Sequence, residues 1–348
     1  MLQTPLAIAL LLGGALFIVL AGLRLTADLL APILLAYTLA VALLPLVKRL
    51  EHKLPRSLAL AGVFLTAFLV AALLIGFFML ELQEFARRIP VYQGMLETRF
   101  AQAEALVGRW GYNLSEVVAN TRAAPGMLTH VTLRLITSLL NATASLTLFL
   151  FILITMTLDF PGVSRAFYGH MGKPLILNRQ VHGLIHEIQT HFRLQTVSNL
   201  LSAGAVTAAY LLFRVDFAIL WGLLTFFLSY IPRIGMLLSF IPPVLMAFVQ
   251  YGIERALALL LVSLMLNGLM DNFITPMLSK KGLGLRASTV LISSLLWLWI
   301  FGPLGALLAM PLTLLVRKLL ASSDLTLPFA YAMSTDEYTS LPPGSEEA

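Results

Sequence analysis

Residues 217–250 read FAILWGLLTFFLSYIPRIGMLLSFIPPVLMAFVQ, and residues 287–320 read ASTVLISSLLWLWIFGPLGALLAMPLTLLVRKLL. Each is a long apolar stretch interrupted near its middle, the first by Ile231-Pro232-Arg233-Ile234-Gly235 and the second by Phe301-Gly302-Pro303-Leu304-Gly305. After each break the chain repeats itself, Gly235-Met-Leu-Leu-Ser-Phe-Ile-Pro242 beside Gly305-Ala-Leu-Leu-Ala-Met-Pro311. Each half is only about 14 to 16 residues, roughly 21 to 24 Å of helix, which is marginal against a hydrocarbon core of about 30 Å. Broken backbone at membrane depth is tolerated only where protein or a polar cavity satisfies it, and paired Pro/Gly-broken segments point to a transporter's binding site. The expectation is an inverted repeat of two re-entrant hairpins entering from opposite faces, with tips formed by Pro232, Gly235, Gly302, Pro303 and Gly305 that meet near the midplane.

The rest of the chain suits that setting. Of 348 residues 59% are hydrophobic and 11% charged, with a mean hydropathy of +0.90, whereas soluble domains carry about a quarter charged residues. A soluble enzyme is excluded by this balance. The chain has no cysteine, which removes disulfides, thiolate catalysis and Cys-metal sites. The net charge of +6 reads as cytoplasmic loop chemistry rather than nucleic-acid binding. Apolar blocks predict an all-α polytopic membrane protein of about eight hydrophobic segments. Residues 1–80 hold the first three transmembrane helices (Leu6 to Leu23, Leu29 to Val47, Leu58 to Leu80), and 135–159 holds the fourth.

Between them, 81–134 is an amphipathic helical extracytoplasmic segment, with Phe85, Ile89, Tyr92, Leu96 and Phe100 at three- and four-residue spacing. A second amphipathic helix, cytoplasmic, covers 160–196 and runs without a break into the fifth span, Val197 to Phe213. Residues 197–320 form the transport core, with broken hairpins at 217–250 and 287–320 separated by a full span from Ala256 to Leu278. The tail 321–348 is polar enough to be disordered and cytoplasmic. With both termini cytoplasmic, thirteen Lys and Arg, among them Lys48, Arg49, Lys53, Arg56, Lys280, Lys281, Arg317 and Lys318, fall inside and nine outside, in accord with the positive-inside rule. Six of those nine lie within 81–134, against the trend.

Among chemically able residues Asp271 stands out, because an ionisable group inside an apolar run costs a few kcal/mol unless paired or hydrated. Its string is Asn267-Gly-Leu-Met-Asp271-Asn272-Phe-Ile-Thr275-Pro276. On an α-helix Asn267, Asp271 and Thr275 share a face, and with Asn272 nearby and carbonyls freed by Pro276 they offer oxygens to a small cation or a carboxylate to a proton. Arg233 at the first break either neutralises Asp271, binds substrate through its donor fork, or extends to the headgroups. His182, His186, Glu187 and His191 suggest metal ligands at first sight, but His186-Glu187-x-x-x-His191 lacks the i, i+4 spacing of a zinc helix. No metal site and no cofactor are expected, the coupling ion being Na+ or H+. No nucleotide-binding or hydrolase motif is present either.

At these residues the chain resembles the AI-2E transporters, also called the autoinducer-2 exporter or PerM-type permease family. The resemblance rests on Gln195 leading into the fifth span, Ile231-Pro232-x-x-Gly235, Asp271-Asn272 to Pro276, Lys280-Lys281-Gly-Leu-Gly284, and Gly302-x-x-Gly305 with Pro311. The sequence departs from the usual pattern at Arg233, Met236 and Arg286-Ala287. The resemblance implies a non-enzymatic inner-membrane exporter or permease of small solutes, autoinducer-2-like or exchanging sodium for protons, assembled as a homo-oligomer. The alternative reading is a membrane scaffold or passive channel without coupled transport, in which Asp271 is a structural partner.

Overall fold

The computed structural model describes residues 5–108, 149, 152–158, 175–232, 234–278, 284–323 and 326–335. Arg233, most of the predicted span 135–159, the outer part of 81–134 and the tail from 336 lie outside the described residues. Within them every regular element is helical, and one isolated antiparallel bridge joins Leu285 to Ser334. The helices are α1 Pro5–Leu25, α2 Ala27–Glu51, α3 Arg56–Gly108, α4 Leu175–Leu212, α5 Ala218–Leu228, α6 Gly235–Tyr251, α7 Ile253–Leu269, α8 Thr275–Leu278, α9 Ala287–Leu320 and α10 Leu327–Met333, with a π-helical turn at Met270–Ile274 between α7 and α8.

Among the described residues, four stretches are long and apolar enough to cross a membrane: Ala27–Glu51, Arg56–Arg99, Ile253–Ile274 and Ala287–Leu320. Three shorter apolar helices accompany them at Gly13–Leu25, Ala218–Leu228 and Gly235–Tyr251. Their outer faces are coated with large apolar side chains, such as Leu73 at 73% and Leu261 at 67% exposure. A water-soluble surface would not carry so many, whereas lipid tails accept them without cost.

α3 is one uninterrupted helix of 53 residues, about 80 Å long. The change from apolar to amphipathic composition near Leu80 therefore occurs along a single rod, with no break between them. α4, 38 residues long, likewise carries the amphipathic 175–196 stretch straight into the apolar one. In α4 the capping-type residues at the change are engaged elsewhere, Thr196 Oγ1 donating to Phe192 O and Asn199 to Phe226 O, so the backbone ladder continues.

Three apolar clusters hold the helices. Tyr92 of α3, Val206 and Tyr210 of α4, Ala218 of α5, Phe240 and Ala247 of α6 and Leu259 of α7 form the first. Trp297, Ile300, Phe301, Leu308 and Leu312 of α9 pack on Ala31, Leu20 and Leu23 of α1 and α2 in the second. The third joins Ala36, Ala40 and Val47 of α2 to Leu60, Val63 and Phe64 of α3, with Leu153.

Candidate functional site

The two breaks are built alike. At the first, α5 ends, residues 229–232 turn, and α6 starts on Gly235, where a Cβ would strike the carbonyl oxygen of Leu228. At the second, Gly302 adopts φ 63° and ψ −151°, a region open essentially to glycine alone. Gly305 then lies against the Trp297 carbonyl oxygen, so that a Cβ there would also sit 2.8 Å from Phe301 Cβ. Trp297 Nε1 donates to Thr313 Oγ1 at 3.2 Å across sixteen residues, a separation that would be about 24 Å in a straight helix. The two arms of α9 are therefore folded against each other. Repetition of Gly235 and Gly305 in the sequence has this physical cause, the seat of one arm's first turn on the last carbonyls of the other.

The two broken segments are tied to α4 near its opposite ends. Next to the C-terminal end of α4, Tyr251 Oη donates to the Arg214 carbonyl at 2.7 Å, and the Asp216 N–H donates to Gln250 Oε1 at 3.3 Å. α3 reaches the same place well beyond its apolar stretch: Tyr92 Oη donates to Asp216 Oδ2 at 2.8 Å, and Arg88, paired with Glu84 at 2.8 Å, stands 3.5 Å from the same carboxylate. Burial, with the Asp216 carboxylate, holds the Tyr92 phenol above its ordinary range, so it stays a donor. Near the other end of α4, Glu187 bridges the end of α9, at 3.1 Å to Arg317 Nη2 and 2.9 Å to Lys318 Nζ. Arg317 is only 3% exposed, and Lys318 Nζ sits where a Cβ on Gly183 would be. From Glu187 to Arg214 is roughly 40 Å along the helix.

Each break has its own set of partners. The first is held by α4: Gln195 Nε2 donates to Ser229 O at 3.0 Å and to Asn199 Oδ1 at 2.8 Å, Asn199 Nδ2 donates to Phe226 O at 3.3 Å, and Thr196 Oγ1 and Tyr230 Oη are 2.7 Å apart. Side-chain amides thus occupy carbonyls left open where α5 ends. At the second, Arg24 lies 4.3 Å over the Trp299 ring, which sets that break beside the turn between α1 and α2. Pro232 and Pro303 stand in these turns as expected.

The candidate oxygens on the α7 side differ in burial and in their partners. The Thr275 N–H reaches Met270 O, five residues back, because the turn at Met270–Ile274 is π-helical and carries an extra residue. Asn267 Oδ1 is buried without a partner, whereas Asp271 and Asn272 are exposed. Asn272 Nδ2 donates to Gly268 O at 2.8 Å. Thr275 Oγ1 is 2.8 Å from Ser198 Oγ on α4, at the level of Gln195 and Asn199. Among the described residues no group of three or more His, Asp or Glu gathers as a metal site; Glu187 belongs to the ion pairs above.

Residues that sequence reasoning passed over are Ser198, Asn199, Ser202 and Tyr210, which with Gln195 form a buried polar face on α4. Their spacing of three, four and eight within an apolar run was a legible signal. The Glu187 bridge had none, since its cations lie 130 residues away.

Comparison with known proteins agrees with this architecture. The profile described as AI-2E family transporter matches residues 7–323. The AI-2 transport protein TqsA of Escherichia coli K12 is 32% identical over 305 residues, 87% of this chain and 89% of that protein. A Haemophilus influenzae protein named only as a candidate transport protein is 26% identical over 334 residues, 92% and 94% of the two chains, and the similarly named YhhT of Escherichia coli K12 is 26% identical over 301 residues, 86% of each. A match of that extent makes this protein a member of the AI-2E transporter family.

Proposed function

We propose that this chain is a secondary transporter that exports or admits small solutes by alternating access, with 217–250 and 287–320 as re-entrant hairpins of an inverted repeat. The observation that supports the reading is that two similarly built breaks have arms tied to opposite ends of α4, one at Arg214 and Tyr251, the other at Glu187 and Arg317. Such a pair can rock about the shared helix and expose its contents to one face at a time. The solute class follows the relative named for AI-2, a small autoinducer. Asp271 is the proton or Na+ site, with Asn267, Asn272 and Thr275 around it and Arg233 at the facing tip.

An exposed carboxylate beside Phe273, itself 57% exposed, suits a water path or a subunit boundary better than lipid. That supports assembly as a homo-oligomer. Both termini are cytoplasmic in this arrangement, with the basic loop 48–56 on the same side.

The test is made on purified protein in liposomes, recording current and internal pH after sodium and pH jumps for wild type and Asp271→Asn. A saturable signal lost in the variant supports an ion-coupled carrier. A non-saturating signal makes the protein a channel, and solute uptake without any ion signal removes sodium and proton coupling. Because the chain lacks cysteine, single cysteines at positions 233 and 304 report the two tips separately. Labelling of both from one side only, under all conditions, overturns the opposed hairpins.

A further inference from the structure

Among the described residues Arg214 and Phe217 are the only ones other than glycine with a positive φ, 56° and 62°. They bracket the short turn that carries α4 into α5. Left-handed backbone is costly for a residue with a Cβ, and only Gly, Asn and Asp visit it readily. Such a conformation persists only where the surroundings impose it, so two within four positions require something that holds them.

The first broken segment supplies part of the hold from its own arms. Trp221 Nε1 of α5 donates to the Asp216 carbonyl at 2.9 Å, and at the end of α6 Tyr251 Oη donates to the Arg214 carbonyl while Gln250 Oε1 accepts from the Asp216 N–H. The rest comes from α3. Its Tyr92 hydroxyl donates to Asp216 Oδ2 at 2.8 Å. The Phe85 ring stacks on Tyr92 at 5.9 Å and meets the rings of Phe217 and Trp221 edge-on, at 5.5 and 6.4 Å between centroids, and the Arg88 guanidinium lies 5.7 Å over Phe217. Farther along the same helix, Arg99 Nη2 donates at 3.1 Å to Gln250 O, one of the last carbonyls of α6, which the helix itself leaves open. From Phe85 to Arg99 is about 21 Å of helix, so one rod touches the start of α5 and the end of α6 at once. Arg88 and Asp216 are partly exposed, and water can replace their attraction at little cost. Tyr92 is buried, so the hold rests on its hydrogen bond and on the rings.

We infer that residues 85–99 of α3 are a latch across the open end of the first broken segment, which pins α5 and α6 together and keeps the 214–217 turn in its strained form. Release of the latch lets the turn relax and frees both arms in one step. The latch depends neither on the segment being a re-entrant hairpin nor on the identity of the solute.

Hydrogen exchange of the full-length protein in detergent tests it, on wild type, Tyr92→Phe, Arg99→Gln and Arg214→Gly. Phe keeps the ring and removes only the O–H donor. If the latch acts as one unit, Tyr92→Phe and Arg99→Gln each speed exchange at both 215–217 and 250–252 by about five-fold, as the loss of one hydrogen bond implies, while 195–199 is unchanged. Acceleration confined to the arm that lost its contact, or none at all, means that α3 makes separate contacts without a joint hold, and overturns the proposal. Arg214→Gly leaves in place the carbonyl that Tyr251 uses and removes the Cβ, so exchange at 215–217 slows by about two-fold or more. Added to Tyr92→Phe, it brings exchange back toward the wild-type rate. Equal or faster exchange in Arg214→Gly shows that the turn carries no strain, and overturns the proposal as well. That variant touches none of the α3 contacts, so its result stands even where Tyr92→Phe or Arg99→Gln folds poorly.

Discussion

Replacing Gly305 by alanine tests whether the two arms of α9 are seated on each other. The reference is Gly268→Ala, on α7, where an added Cβ meets nothing within 4 Å. There alanine adds helix propensity and lowers unfolded-state entropy, an expected gain of about 0.5 to 1 kcal/mol. At Gly305 the same methyl overlaps the Trp297 carbonyl oxygen and crowds Phe301 Cβ. The first of these is backbone and cannot rotate away. Overpacking of this kind costs about 1 to 3 kcal/mol, and parting the arms also strains the Trp297–Thr313 hydrogen bond, worth about 1 kcal/mol. After the propensity gain is subtracted, the net loss is about 1 to 3 kcal/mol. Apparent Tm in detergent, followed by intrinsic tryptophan fluorescence, should fall by several degrees for Gly305→Ala and hold or rise for Gly268→Ala. Equal or higher stability of Gly305→Ala would refute the close approach, and with it the folded-back reading of 287–320.

Gly302→Ala is expected to cost about 1 to 3 kcal/mol for a different reason, its left-handed backbone, and the same thermal assay measures it. Glu187→Gln leaves Arg317 buried without its counter-charge; a loss of about 3 kcal/mol is expected, and it should persist in high salt because buried pairs are weakly screened. An unchanged Tm at both salt concentrations would show that the bridge does not tie α4 to α9. Tyr92→Phe removes the donor to Asp216, with an expected loss of about 1 kcal/mol. Hydrogen exchange should then report faster opening of residues 214–217 while the 195–199 amides are unaffected.

Much of the architecture was legible because lipid is an undemanding but strict solvent. It requires long apolar helices and forbids broken backbone without cause, so apolar runs and paired Pro/Gly breaks could be read directly. Gly302 is set by its positive φ and Gly305 by its close seat on the Trp297 carbonyl. The uninterrupted passage from 175 to 212 was also legible, since no helix-breaking residue stands between its two compositions. The π turn at Met270–Ile274, by contrast, is a local detail of winding that spacing in sequence does not encode.

What sequence alone determined, then, is the class: an all-helical membrane protein of a transporter family, with two broken segments as its distinctive part. The length and polarity of each run depend on local composition, which the chain carries in order. What tertiary structure decided is which groups meet. Gln195 and Asn199 on the first tip, Arg24 on Trp299, Tyr92 on Asp216 and Glu187 on Arg317 are encounters between residues tens to hundreds of positions apart, apart from the local Gln195–Asn199 pair. Their partners are chosen by helix packing and depth, quantities that no local pattern encodes.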